Sequence, residues 1–366
     1  MASKRAWPRR CLAPWVLAGA ALAGCGSRSA LEVAEREPFD AAVPDVQLVD
    51  AAIDAAVDAP DARDAQHEPD APRPLGCPPS GQAVLAKGEG FPTGIAVDRA
   101  RVYWATAGSA CATGRIRAIP KGGGPIVTLA DGQTDPHVLV VDDAFAYWYD
   151  GCGSGVVRRV PLAGGAVDQV ALSIDPAEDA RVLAADSRNL YFNGYGVLGV
   201  AKQGGAPFVV DEADYVYGLA ADDRGVYWAG PVHGGPTMAV FAMPTGATTP
   251  VMLVQQDVGV AFAIDTAWVY FDGAGIQRVP RSGGPAQTIV SPPANVGYDM
   301  TTDVTSVYWL EGNAELPQYR VHRTPVAGGA DAVIAQGSGW AFHVVEDESC
   351  VYWTNPGEGT IEAAAK

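Results

Sequence analysis

Gly94-Ile95-Ala96-Val97-Asp98-Arg99-Ala100-Arg101-Val102-Tyr103-Trp104 contains a phrase that the chain repeats seven times. Each copy has an Asp, three variable residues, an apolar residue, then Tyr and usually a second aromatic. The other copies run from Asp142 to Trp148, Asp186 to Phe192, Asp222 to Trp228, Asp265 to Phe271, Asp303 to Trp309 and Asp347 to Trp353. The Asp-to-Tyr interval is five residues in every copy. A short apolar strand A precedes each Asp, whose carboxylate can accept backbone N–H groups in a tight turn. The apolar-Tyr-aromatic triplet prefers β structure and alternates faces as strand B. Strand C follows, as in Gly114–Pro120 and Gly275–Pro280, then a Gly-Gly turn such as Gly123-Gly124 or Gly283-Gly284. Glycine supplies the positive φ that such turns need. Strand D is the next apolar run, as in Pro125-Ile126-Val127-Thr128-Leu129.

Seven units of this kind, at roughly 42 residues each, have the period of a four-stranded propeller blade. The expected fold is an all-β, seven-bladed β-propeller over residues 76–366. The last copy stops after strand C, near Gly359–Lys366, and an orphan strand D, Gln82–Ala86, lies before the first strand A. Pairing the two completes the last blade and leaves no open sheet edge. Because the anchors are unevenly spaced, six blades plus an odd hairpin is the alternative.

Before residue 76 the composition changes. Lys4, Arg5, Arg9 and Arg10 precede an apolar stretch, Cys11–Leu22, too short to remain as a membrane span. It ends in Leu22-Ala23-Gly24-Cys25, which resembles a bacterial lipobox and implies a signal peptide over 1–24 with lipid on Cys25. An ordinary signal peptide cut nearby is the other reading. Gly26 stands where an inner-membrane retention Asp is known, which points to the outer membrane. Residues 25–75 are rich in Ala, Asp and Pro, with twelve acidic residues against four arginines and one aromatic, Phe39. Such a segment cannot repay the entropy of ordering and reads as a solvated tether. A weak Ca²⁺ or surface-charge role is its alternative. The net charge of −17 makes nucleic acid and anionic lipid poor partners. An exported, lipid-anchored monomer is expected, facing an envelope protein or glycan.

Cysteine usage agrees with export. Cys111 and Cys152 fall in the B–C loops of blades one and two, while Cys77 and Cys350 flank the closing blade. Of the three connectivities open to four cysteines, Cys111–Cys152 with Cys77–Cys350 fits the blades. The spacing does not suit a compact zinc site, and no metal or other cofactor is expected.

The last copy, Tyr352-Trp353-Thr354-Asn355, resembles the YWTD repeats of lipoprotein-receptor propellers, although most copies here lack the Thr and Asp and that family has six blades. Gly94–Asp98 with Gly114-Arg115-Ile116 and Pro120 is similar to the repeats of seven-bladed streptogramin lyases and NHL-like propellers. The lipobox, acidic linker and Val-Tyr-Trp blades together resemble the abundant repeat lipoproteins of Gram-negative soil bacteria. These resemblances imply the fold strongly and the function hardly at all, since propellers host binding and catalysis alike.

In a propeller the start of strand A meets the B–C loops at one mouth of the central channel. Counting five residues back from each anchor gives Thr93, His137, Arg181, Tyr217, Val260, Tyr298 and Phe342. The next position gives Gly94, Val138, Val182, Gly218, Ala261, Asp299 and His343. The outer ring is chemically mixed, as a ligand site would be; solvated, freely drifting residues are the plainer reading. His137, His343 and Asp299 are the catalytic candidates. An acid–base pair of histidines would resemble the lyase arrangement, but no Glu falls beside either at the mouth, and Glu346 lies deeper. His67, His233 and His322 have no such placement, and no nucleophile elbow, zinc-binding His-Glu helix or phosphate loop occurs. Two functions remain open: a binding or scaffold module, and a hydrolase or lyase.

Overall fold

The computed structural model describes residue 78 and residues 81–108, 111–151, 155–172, 182–194, 196–212, 215–232, 235–291, 296–312 and 318–366. All belong to the unit Ala65–Lys366. The expected signal peptide, Cys25, the tether, Cys77, Cys152, Arg181 and His233 lie outside them.

The chain forms a seven-bladed propeller of four-stranded antiparallel sheets. Strand β1 (Gln82–Lys87) comes first, and blade one follows with β2 (Phe91–Val97), β3 (Arg101–Ala107), β4 (Gly114–Pro120) and β5 (Val127–Gln133). Blade two is β6 (Pro136–Val141), β7 (Phe145–Asp150), β8 (Val156–Pro161) and β9 (Asp168–Leu172). Blade three is β10 (Leu183–Ala185), β11 (Asn189–Gly194), β12 (Gly196–Ala201) and β13 (Phe208–Asp211). Blade four is β14 (Gly218–Asp222), β15 (Gly225–Pro231), β16 (Met238–Pro244) and β17 (Val251–Gln255). Blade five is β18 (Phe262–Ile264), β19 (Trp268–Gly273), β20 (Gly275–Pro280) and β21 (Gln287–Val290). Blade six is β22 (Val296–Thr302), β23 (Ser306–Glu311), β24 (Gln318–Pro325) and β25 (Ala332–Ser338). Blade seven is β26 (Val344–Glu346), β27 (Cys350–Asn355), β28 (Thr360–Ala365) and, as its fourth strand, β1. The six-blade alternative is thereby excluded. Among the described residues no helix is long and apolar enough to cross a membrane.

Strand D of blade one departs from its expected span. It begins at Val127 and runs to Gln133, because Gly124 (φ 130°) and the donor-less Pro125 still belong to the turn. The Gly-Gly turns otherwise behave as expected, with φ of 82° and 140° at Gly283 and Gly284.

The repeated aromatics hold the blades together. Successive side chains of a strand point to opposite faces, so Tyr and Trp of one triplet enter different interfaces. Tyr103 of blade one shares a core cluster with Trp148 of blade two, and Tyr147 with Phe192 of blade three. Tyr308 meets Trp353, and Tyr352 meets Trp104 to bring the ring back to blade one. A buried aromatic removes about 150–250 Å² from water, of the order of 4–6 kcal/mol before chain entropy is subtracted.

The anchor Asp supports the same scheme. In blade five Oδ1 of Asp265 accepts the N–H groups of Ala267 (2.6 Å) and Trp268 (2.7 Å), and Oδ2 accepts Tyr270 OH (2.6 Å). Six of the seven copies have this Tyr-to-Asp bond, blade four being the exception. The five-residue interval therefore fixes a buried phenol against the turn of its own hairpin.

Closure is made by β1 against β28, with Gln82 opposite Ala364 and Lys87 opposite Thr360. Glu362 lies under this joint, only 4% exposed. Its carboxylate accepts Thr360 Oγ1 (2.6 Å), Tyr319 OH (2.7 Å) and Asn355 Nδ2 (3.0 Å), which offsets the cost of burying it.

Candidate functional site

Three of the seven A strands carry β-bulges where they enter the ring, and bulges re-aim side chains. In β2 the register shifts between Pro92 and Gly94. This turns Thr93 inward: it is fully buried, and its hydroxyl donates to Pro136 O at 2.6 Å, tying blade one to blade two. In β6 the shift falls between His137 and Leu139, and Val138 and Asp135 both have positive φ (25° and 53°). His137 Nε2 lies 3.1 Å from Asp135 Oδ2. This hydrogen bond holds the Asp135 carboxyl below its ordinary range against the opposing effect of burial. The largest bulge is in β22. Val296 pairs with Glu311 and Met300 with Trp309, so Gly297, Tyr298 and Asp299 stand out of register.

That bulge delivers Tyr298 to an aromatic cluster. Its ring meets Phe342 at 5.0 Å and Trp340 at 6.2 Å, both edge to face. Trp340 also meets Phe342 at 5.6 Å and Phe91 at 5.5 Å. The rings come from β22, from the segment leading into β26 and from the first residue of β2, so the cluster spans blades six, seven and one. Phe91 and Tyr298 are 42% and 38% exposed, so the patch is open to a ligand. The position of Trp340 is fixed from beneath. A Cβ on Gly357 would stand 3.0 Å from Trp340 N and Cδ1 and 2.8 Å from Gly339 Cα, so the β27–β28 loop approaches this closely only as glycine.

Beside the rings lies an imidazole–carboxylate pair. His343 Nδ1 is 3.1 Å from Asp299 Oδ2, which also accepts Val344 N at 3.0 Å, while Asp299 Oδ1 accepts Met300 N at 2.9 Å. An ionised carboxylate only accepts, so Nδ1 is the donor in this pair and Nε2 is the ring nitrogen not engaged by Asp299. The pair bridges blades six and seven. Phe342 N and His343 N donate to Thr354 O and Oγ1 (3.0 and 3.2 Å), fixing both residues on β27.

Among the described residues, His137 and Tyr217 make no ring contact with this cluster. Tyr217 and Val260 are 43% and 41% exposed at the entries to blades four and five. Each of the two mouth histidines is bonded to its own carboxylate. Phe91 and Trp340 were missed by the five-residue count because both lie seven residues before their anchors.

A second set of polar groups comprises Glu89, between β1 and β2, and Asp150 and Asp272 at or near the ends of β7 and β19. Trp104 Nε1 donates to Glu89 Oε2 at 2.7 Å, and Arg117 binds both Glu89 oxygens at 2.7–2.8 Å. Asp150 takes Trp148 Nε1 (2.8 Å) and Arg158. Burial pushes the Asp150 carboxyl upward against these two donors. Asp272 is pushed up to about 6 by burial, with Ala261 N bonded to Oδ1 at 2.8 Å. Among the described residues no group of three or more His, Cys, Asp and Glu is arranged to hold a metal ion.

No protein-family description and no curated protein matches the chain in sequence. Among solved structures, virginiamycin B lyase from Staphylococcus aureus is similar in fold, with a TM-score of 0.56 and 14% identity over 78% of this chain and 98% of that one. A catalytically inactive variant of that lyase with quinupristin has a TM-score of 0.54 at 13% identity, over 78% and 98% of the two chains. The computationally designed Ika8 protein has a TM-score of 0.54 at 11% identity, over 77% and 98%. At such identities the likeness concerns the propeller fold alone. The streptogramin-lyase resemblance of the repeats is matched at that level.

Proposed function

We propose that this protein is an envelope lipoprotein, anchored through Cys25 and held off the membrane by residues 26–75, whose propeller is a binding module. The observation that carries the reading is the half-exposed group Phe91, Tyr298, Trp340 and Phe342 at the mouth. Aromatic faces held by bulges and backbone bonds present large apolar area at little entropic cost, as a site for a protein segment or glycan requires. Binding of the full chain to envelope proteins and to a glycan array tests this. Trp340→Ala with Tyr298→Ala is expected to weaken capture at least tenfold; equal capture by the wild type and the double variant defeats it. Cys25→Ser is expected to release the protein from the membrane fraction.

The proposal includes the pairings Cys111–Cys152 and Cys77–Cys350, supported by the placement of the four cysteines along the repeat. Peptide mapping without reductant is expected to recover both linked pairs.

A second reading, a hydrolase or lyase, is favoured by one observation, the oriented imidazole of His343 on Asp299. His343 would serve as general base through Nε2, with Asp299 fixing its tautomer. Loss of turnover in His343→Ala, with retained ligand binding, would select this reading over a binding module.

A further inference from the structure

The face opposite the mouth, where the anchor turns lie, carries its own repeated device. The residue that follows each strand C occupies one backbone position in all seven blades, its N–H donating to the carbonyl two residues beyond its own anchor Asp. In four blades this residue is a cation that reaches the anchor Asp of the preceding blade. Lys121 binds Asp347 (2.5 Å), Lys202 binds Asp142 (3.1 Å), Arg281 binds Asp222 and Lys366 binds Asp303 (2.7 Å). Each also rests over the Tyr of that preceding blade, at 5.7, 5.8, 4.4 and 5.1 Å from the ring centroids of Tyr352, Tyr147, Tyr227 and Tyr308. An anchor Asp with its Tyr is thus a cation receptor, combining a carboxylate with an aromatic face.

Three seams lack the cation, having Leu162, Thr245 and Val326 at that position. Leu162 and Val326 pack into the interblade core. Thr245 cannot fill the space: it is exposed, and its hydroxyl turns away to Asp223 O at 2.8 Å. The seam between blades three and four is accordingly hollow, a cavity of about 430 Å³ lined by Asp186, Tyr191, Asp223, Met243 and Thr245.

Blade three is deprived of positive charge a second time. Arg159, Arg278 and Arg323 stand opposite Tyr147, Tyr270 and Tyr308 on strand C, but Gly199 stands opposite Tyr191, as alanines stand opposite the Tyr of blades one, four and seven. The Phe208 ring lies over that glycine and meets Tyr191 edge-on at 6.5 Å. Asp186 Oδ2 receives only neutral donors, Tyr191 OH (2.6 Å) and Asn189 Nδ2 (3.3 Å). With Asp186, Asp223 and Arg188 at its wall, the cavity has one net negative charge.

We propose that this cavity binds an alkyl-tethered cation, the guanidinium or ammonium of a ligand's arginine or lysine side chain. The guest takes the place that Lys202 and Arg281 fill in neighbouring seams: its charge against Asp186 Oδ2, its stem against Met243 and Phe208. The site is independent of the aromatic mouth on the other face.

Titration of the full chain with N-acetyl-arginine amide, N-acetyl-lysine amide and the neutral N-acetyl-citrulline amide tests this. The two cations are expected to bind saturably at millimolar concentration, at least tenfold more tightly than the citrulline compound. Thr245→Arg, which supplies the missing cation from within, is expected to raise Tm by about 2–4 °C and to abolish arginine binding. Trp340→Ala is expected to leave that binding unchanged. Equal binding of the neutral compound, no saturable binding, or full binding by Thr245→Arg would each overturn the proposal. Asp186→Asn, where it folds, is expected to lose binding at least tenfold.

Discussion

Lys121 and Asp347 meet at 2.5 Å across the seam where blade one closes on blade seven. Both side chains are largely buried, 14% and 21% exposed, so the pair is screened less than a surface ion pair. Its removal leaves a carboxylate beside the closing joint without its cation. Lys121→Ala is expected to destabilise the domain by about 1–3 kcal/mol, against no measurable change for the exposed Lys87→Ala. A thermal-denaturation double-mutant cycle with Asp347→Asn checks it; a coupling energy near zero would dismiss the latch.

The tryptophans of the repeat are alike in burial and unlike in hydrogen bonding. Trp104 donates to Glu89, whereas the buried Nε1 of Trp228 has no partner. Replacement by Phe removes similar area in both cases, but only Trp104→Phe takes a donor from a buried carboxylate. Trp104→Phe is expected to cost about 1–3 kcal/mol more than Trp228→Phe, measured by denaturant titration.

Tyr270 is fully buried and donates to Asp265 at 2.6 Å. Tyr270→Phe keeps the ring and deletes a charge-assisted bond, for an expected loss of about 1.5–3 kcal/mol. An unchanged denaturation midpoint would reduce the five-residue interval to a coincidence of packing.

Asp272 gives the domain a pH dependence of definite sign. Burial raises its carboxyl to about 6, so folding favours the protonated form. The stabilisation this provides is complete below the ordinary carboxylate value and is lost as pH rises through about 6. Relative to Asp272→Asn, the wild type is expected to lose of the order of 1 kcal/mol between pH 4 and pH 7. Parallel Tm profiles for the two proteins would show that Asp272 contributes no such dependence.

The blades, their strand order and the closing strand were legible because one short pattern recurs at a fixed interval. The site was legible only in part, for a physical reason. Counting back from each Asp assumes regular strands, and bulges at Thr93, Val138 and Gly297–Asp299 break that register. Tyr298 and Phe342 were reached by the count and do come together, whereas Thr93 was reached and proves to be an interblade tie. Phe91 and Trp340 carry no local signal, because their proximity depends on the ring being closed. The cation receptors were likewise hidden: Lys121 and Asp347 are neighbours only across a seam.

The pairing of β1 with β28 joins Gln82 to Glu362, 280 positions apart. A ring sealed in this way has an order of assembly imposed by synthesis. β1 is among the first strands to leave the ribosome and must wait, unpaired, until β28 has emerged. At about 5–20 residues per second that interval is of the order of tens of seconds, a long exposure for an apolar strand edge. The chain therefore depends on whatever shields Gln82–Lys87 during that time, and its yield of native protein should respond to the rate of synthesis and to chaperone supply more than to the stability of the finished ring.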